Sequence, residues 1–244
     1  MNTVDSQPLY GWNTLCWKKI ERVVFKLQKR IYRAQLRGNG TIVRKLQRLL
    51  MKSRSAKLLA VRRVSQDNRG KNTAGVDGVK ALPPAERLEL ADTLSLNSRA
   101  QPVRRVRIPK PGTEEMRPLG IPTIHDRALQ AVVKLALEAQ WEACFEPNSY
   151  GFRPGRSAWD AIGAIYVRIN QKANWVLDAD IAQCFDRIDH NALLSKMHTS
   201  PTLRRQVRAW LKAGVMDTGE LFPTEEGTPQ GGTLTLPTKL PKMS

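Results

Sequence analysis

The residues of this chain best placed to do chemistry are Asp178 and Asp180, in Trp175-Val176-Leu177-Asp178-Ala179-Asp180-Ile181. The alternation predicts a strand with Val176, Asp178 and Asp180 on one face and Leu177, Ala179 and Ile181 on the other, core-facing one. Aspartate is depleted in strands, so two on one face call for a solvated edge, basic partners or a metal. Magnesium takes oxygen ligands and is held by one or two carboxylates together with substrate phosphates, which suits a basic chain that handles nucleotides. Asp186 and Asp189 lie just beyond. They are expected to turn the chain and cap a helix beginning near His190 rather than to bind metal. His125, His190 and His198 lie far from one another, and Cys16, Cys144 and Cys184 form no CxxC pair. They predict neither a histidine nor a cysteine metal site nor a disulfide framework, and the thiols are read as reduced.

Charge points to the same class of partner. Forty Lys and Arg against 22 Asp and Glu give +18 over 244 residues, more than solubility requires, so a polyanion is expected, nucleic acid before an anionic membrane. No apolar run approaches the length of a membrane span and no secretion signal opens the chain, which predicts bacterial cytoplasm or an organellar matrix. From Lys18 to Arg69 there are 17 basic residues and two acidic ones, Glu21 and Asp67. A surface so charged repels itself without a counter-polyanion.

The elements that position these groups follow from periodicity. Ile20, Val23, Val24, Leu27 and Ile31 make one apolar helix stripe, while Arg22, Lys26, Lys29, Arg33 and Arg37 descend another face. Gly38-Asn39-Gly40 interrupts, Thr41 can cap a second helix, and Ile42, Leu46, Leu49 and Leu50 restart the helical pattern. Residues 70–83 are rich in Gly, Asn and Pro and predict a linker or a structured loop touching the template. Pro83 and Pro84 can start a short helix. A β-hairpin is expected over 103–122, with Arg104, Arg105, Arg107, Lys110 and Arg117 making its exposed side cationic. Helices follow over 126–144 and 158–169. Between them a Gly/Pro loop carries Tyr150, Phe152, Arg153 and Arg156, which suit stacking on bases and contact with phosphate, although both aromatics could instead plug the core.

Five ordered blocks resemble a known family, the reverse transcriptase and maturase proteins encoded by group II introns. They are Arg107 to Pro111, Arg117 to Pro122, Tyr150 to Pro154, Asp180-Ile181 with Cys184-Phe185-Asp186 and Ile188-Asp189-His190, and Gly227 to Gly232. The resemblance covers roughly 12–232. It implies an α+β fold comprising a basic N-terminal helical extension, the fingers and an incomplete palm of a right-hand polymerase. The corresponding divisions are 1–69 for the extension, 70–102 for a linker and short helix, 103–174 for fingers, 175–232 for partial palm and 233–244 for a disordered tail. It implies that Asp180 is the catalytic magnesium ligand, with Asp178 a same-face neighbour. Lys110, Arg117, Ile181, Phe185 and Gln230 would serve the incoming nucleotide. Arg22, Lys26, Lys29, Arg33, Arg37, Arg153 and Arg156 are expected to contact RNA. The implied partners are group II intron RNA and, in the intact family, an RNA template with a DNA primer.

The sequence also departs from the family's pattern. Polymerase chemistry uses two metals, which the family holds with the first palm aspartate and an aromatic-Ala-Asp-Asp turn, and no consecutive Asp-Asp occurs in these 244 residues. After Gly232 the expected Ser-Pro-Leu-Leu helix is replaced by a divergent tail that resembles an interrupted reading frame. The expectation is an RNA-binding chain with little or no polymerase activity of its own. The rival readings are a splicing helper that needs no catalysis and an unstable product.

Overall fold

The computed structural model describes residues 11–110, 112–169, 175 and 177–228. The expectations at Pro111, Val176, Gln230 and the tail 233–244 lie outside them.

Helix α1, Trp17–Leu36, buries Ile20, Val24, Leu27, Ile31 and Ala34 along one stripe, the spacing that lets one face of a 3.6-residue helix meet a core. Val23, expected in that stripe, lies at its margin, 39% exposed. The helix stops at Gly38, whose φ of +67° a side chain would resist. The Gly38 amide then donates to Gln35 O at 2.9 Å and the Asn39 amide to Ala34 O at 3.0 Å, satisfying the last carbonyls. Helix α2, Gly40–Lys52, is capped by Asn39, whose side chain accepts from the Ile42 amide. Thr41 does not serve as the cap the sequence suggests, and its hydroxyl accepts from Arg44 instead. Helix α3, Arg54–Arg62, runs into a π turn over Arg63–Asp67.

Residues 69–83 are a packed strap. Asp77 accepts from the Ile124 amide at 2.7 Å, Arg104 donates to Ala74 O at 2.9 Å, and buried Arg127 donates to Gly70 O at 2.9 Å. A Cβ on Gly75 would meet Pro122 O at 2.5 Å, so only glycine permits this approach. Burial lowers the pKa of Arg127, with Asp77 opposing that shift. Helix α4, Pro84–Thr93, starts at its proline.

Strands β1, Val103–Pro109, and β2, Met116–Ile121, form the expected antiparallel hairpin. Helix α5, Ile124–Glu142, is buried on almost every side, because α1, α2 and α3 all pack on it. Then come α6, Ala158–Ile169, α7, His190–Lys196, and α8, Pro201–Leu211. The short strands β3, Val215–Asp217, and β4, Glu220–Phe222, complete one sheet of order β2-β1-β3-β4, with β3 parallel to β1. One hydrophobic core extends from Trp12 to Leu211. The architecture is α+β, as the sequence predicts. No helix among the described residues is long and apolar enough to cross a membrane.

The carboxylate strand is a correction. Residues 177–181 form no strand and are all exposed, Leu177 at 91% and Ile181 at 71%. A strand persists only against a ladder partner, and β1 to β4 pair with one another and not with this segment. Helix α6 likewise buries none of its side chains, leaving Trp159, Ile162, Ile165 and Tyr166 in solvent.

Candidate active site and nucleic-acid interface

Two of the motif blocks meet through their backbones. The Thr228 amide donates to Phe185 O at 2.7 Å and the Gly227 amide to Ile188 O at 2.9 Å. Buried His190 reaches the Gly227 carbonyl with Nε2 at 2.7 Å. Gly227 has φ +80°, and a Cβ there would stand 2.7 Å from Asp186 O, so glycine is required for the two blocks to touch. Asp189 caps α7 by accepting from the Ala192 amide, as predicted. The hairpin residues Pro118, Leu119 and Gly120 face Asp186 and Gly227 across an open cleft of about 220 Å³. Three of the five blocks therefore converge on one cleft.

Asp180 is not among that cleft's lining residues. It is exposed, and its Oδ1 accepts from the Ile181 amide at 2.8 Å. Asp178 is exposed beside it, and Phe185 is half-buried. Among the described residues no three His, Cys, Asp or Glu come together as a metal-binding group. Asp180 supplies an oxygen donor of the type magnesium takes, but the described residues do not assemble the donor set of a two-metal centre.

The cations expected on the hairpin's exposed side are largely engaged within the chain. Arg107 grips Asp217 of β3 at 2.6 Å, with Arg105 at 3.8 Å from the same carboxylate. Lys110 pairs with Glu115 across the hairpin end, holding the Glu115 carboxyl below its usual pKa. Arg117 is exposed and makes no ion pair among the described residues. Any phosphate reaching Lys110 must compete with Glu115.

Arg153 is a second correction. Its side chain is 4% exposed and bonded to Glu142 at 2.6 Å. It also donates to the carbonyls of Glu146 at 2.8 Å and Ser149 at 2.6 Å. It fastens the loop to the end of α5, with four of its five N–H donors engaged inside the chain, so its buried guanidinium serves the fold and is not presented to solvent as the sequence suggests. Arg156 remains exposed, 5.7 Å from the Tyr150 ring. Phe152 plugs nothing: it is 85% exposed with φ +58°, a conformation costly for a non-glycine residue.

The basic face of α1 is present as the periodicity predicts. Arg22, Lys26, Lys29, Arg33 and Arg37 are all exposed, opposite the buried stripe. Phe25, 59% exposed, and Tyr32, 38% exposed, share that face, and the Lys29 ammonium lies 5.4 Å from the Phe25 ring. Sequence reading by charge passes over these aromatics, although Phe25 stands three residues from Arg22 and four from Lys29, and Tyr32 three from Lys29, which places them beside the same face. Asp217 gives no local signal, because its partners lie more than a hundred residues earlier.

Comparison with known proteins accords with this layout. Residues 12–94 match the N-terminal domain of reverse transcriptase, and residues 108–236 match the reverse transcriptase (RNA-dependent DNA polymerase) family. Protein YkfC of Escherichia coli K12 is 34% identical over 204 residues, covering 78% of this chain and 53% of that protein. Group II intron-encoded protein LtrA of Lactococcus lactis is 40% identical over 137 residues, 55% of this chain and 23% of LtrA. Maturase-like protein 1 of Euglena gracilis is 28% identical over 210 residues, 83% of this chain and 46% of that protein. The chain thus spans about half the length, or less, of these curated relatives. By its two matched segments and its ordered motif blocks, it belongs to the reverse transcriptase family, among the group II intron-encoded reverse transcriptase and maturase proteins.

Proposed function

We propose that this chain acts by binding RNA, with group II intron RNA as its partner, and that by itself it does not synthesise DNA. The observation that carries the first part is the solvent-facing row of Arg22, Lys26, Lys29 and Arg33 interleaved with Phe25 and Tyr32. Cations at one-turn spacing neutralise successive phosphates and release counterions, while exposed rings offer stacking surfaces to unpaired bases. Such a face recognises single-stranded or looped RNA with little sequence preference. It needs nothing from Asp180.

The second part rests on the donor set. In this family magnesium supplies charge stabilisation to nucleotidyl transfer, and in this chain Asp180 is the residue that would bind it. Lys110 and Arg117 would hold the triphosphate, Lys110 on exchanging Glu115 for phosphate. Ile181, Phe185 and Gln230 would bound the nucleotide. A single carboxylate cannot fix two metals in the geometry that in-line displacement requires.

Two measurements test the reading. Reversing Arg22, Lys26 and Arg33 to Glu should weaken binding of intron RNA on the order of 100-fold at low salt, given the electrostatic share of such binding. Unchanged affinity would remove the α1 face from the proposal. In primer extension, the purified chain should yield no templated product. Product that Asp180→Ala abolishes would overturn the second part.

A further inference from the structure

Away from the motif blocks and from the outer face of α1, a cleft of about 590 Å³ opens where α2, α3, residues 94–96 and the start of α8 meet. Three cations line it, Arg48 and Lys52 one turn apart on α2 and Lys57 on α3. None of the three has an ion-pair partner among the described residues, and no acidic residue lines the cleft with them. Three like charges around one cavity repel and are quieted by an anion drawn among them. Ser95, Ser200 and Thr202 also line the cleft, with the Ser200 hydroxyl accepting from the Leu203 amide as the cap of α8. Thr202 stands in the first turn of α8, whose N-cap is Ser200, and that helix end adds positive potential to the cations. The rest of the lining is apolar, Met51, Leu94 and Leu96. The volume falls in the range of roughly 300–1,000 Å³ typical of small-ligand sites.

A lining that combines three cations, hydroxyl-bearing residues and apolar side chains suits the two halves of a nucleotide unit, phosphate and sugar with base. We infer that this cleft is a phosphate-binding site that takes one nucleotide unit, either within a single RNA strand or as a free mononucleotide. It stands on its own residues and does not depend on the α1 face.

The test uses the whole chain and two variants. One carries Arg48→Gln, Lys52→Gln and Lys57→Gln together. The other carries Thr202→Asp, which places a negative charge in the cleft while favouring the α8 N-terminus, so that folding is maintained. Binding of a labelled single-stranded RNA is followed by anisotropy across a salt series. In parallel, adenosine monophosphate and inorganic phosphate are titrated while the backbone amide resonances of Ser95 and Thr202 are observed in the wild type and the triple variant. Ser95 is also followed in the Thr202→Asp chain.

If RNA is the source, the triple variant should bind about ten-fold more weakly, with the salt slope shallower by about 0.7 for each phosphate no longer neutralised, and Thr202→Asp should also weaken RNA. If a free nucleotide is the source, adenosine monophosphate should shift the wild-type amides but not those of the variants, with RNA affinity retained. RNA binding, salt slope and nucleotide response all unchanged in both variants would overturn the inference. Cleft variants that keep both wild-type RNA binding and the wild-type nucleotide response, beside an α1 variant that no longer binds RNA, would sink this site alone. The reverse pattern would sink only the α1 reading.

Discussion

Two buried acceptors with no role in the motif blocks organise the centre of the molecule. Asp126 is 4% exposed and accepts from the Gln101 amide at 3.0 Å, the Thr123 hydroxyl at 3.2 Å and the Trp210 indole at 2.9 Å. Both carboxylate oxygens are used, so Asp126→Asn turns one acceptor into a donor facing a donor and should cost about 2–3 kcal/mol in urea denaturation. Trp210→Phe, which removes one donor, should cost less. Gln206, fully buried, accepts from the amides of Asn97 and Ser98 and donates to Arg99 O, fixing the approach to β1. At the surface, the Ser157 side chain and amide bond to Asp160 at 2.6 and 2.7 Å and lower its pKa. A carboxyl depressed in the fold contributes stability that is present above its unfolded pKa and lost as pH falls through the folded value. Carbon-detected titration should therefore place Asp160 higher in Ser157→Ala, and acid should fray α6 at a higher pH in that variant. Asp126 and Gln206 could not have been found in the sequence, because a polar residue in a helix reads as surface until the partners that satisfy it are known.

At the scale of elements, the helices with one apolar stripe and the hairpin with its turn residues were readable, since local spacing alone specifies them. The bounds of α6 agree with the reading at both ends. The predicted strand over 175–181 failed for the complementary reason: alternation marks a segment able to pair, while pairing depends on a partner elsewhere. Strands β3 and β4 are too short to announce themselves by alternation, and Thr218-Gly219, with φ +50° and +92°, makes the tight turn between them. The meeting of the Phe185 and Gly227 blocks depends on one residue. Gly227→Ala should break it, since the Cβ and the positive φ both oppose alanine. The expected readout is faster amide exchange at Thr228 and a loss of about 1–3 kcal/mol, with the α1 RNA affinity unchanged.

For the whole molecule, charge and exposed apolar surface govern behaviour. If five α1 cations each meet one phosphate, the slope of log affinity against log salt should be about −3.5, at roughly 0.7 per phosphate for a single strand. Helix α6 sets an opposite tendency, because Trp159, Ile162 and Tyr166 form an uncovered apolar row of the kind that drives association. Replacing Trp159 and Ile162 by Lys should lower anilinonaphthalene sulfonate fluorescence and light scattering while leaving the urea midpoint within about 0.5 kcal/mol, as for other surface changes.

The parallel pairing of β3 with β1 joins Val103 to Val215, and the Arg107 clamp on Asp217 spans a separation of 110 residues. On the ribosome the β1–β2 hairpin can close as soon as it emerges, but it acquires its neighbour only once the chain has been made as far as Val215. Until then Arg105 and Arg107 lack the carboxylate that pairs them in the finished fold. The nascent chain thus passes through a state in which its hairpin is more cationic than in the finished fold, and Asp217 withdraws those charges when it arrives.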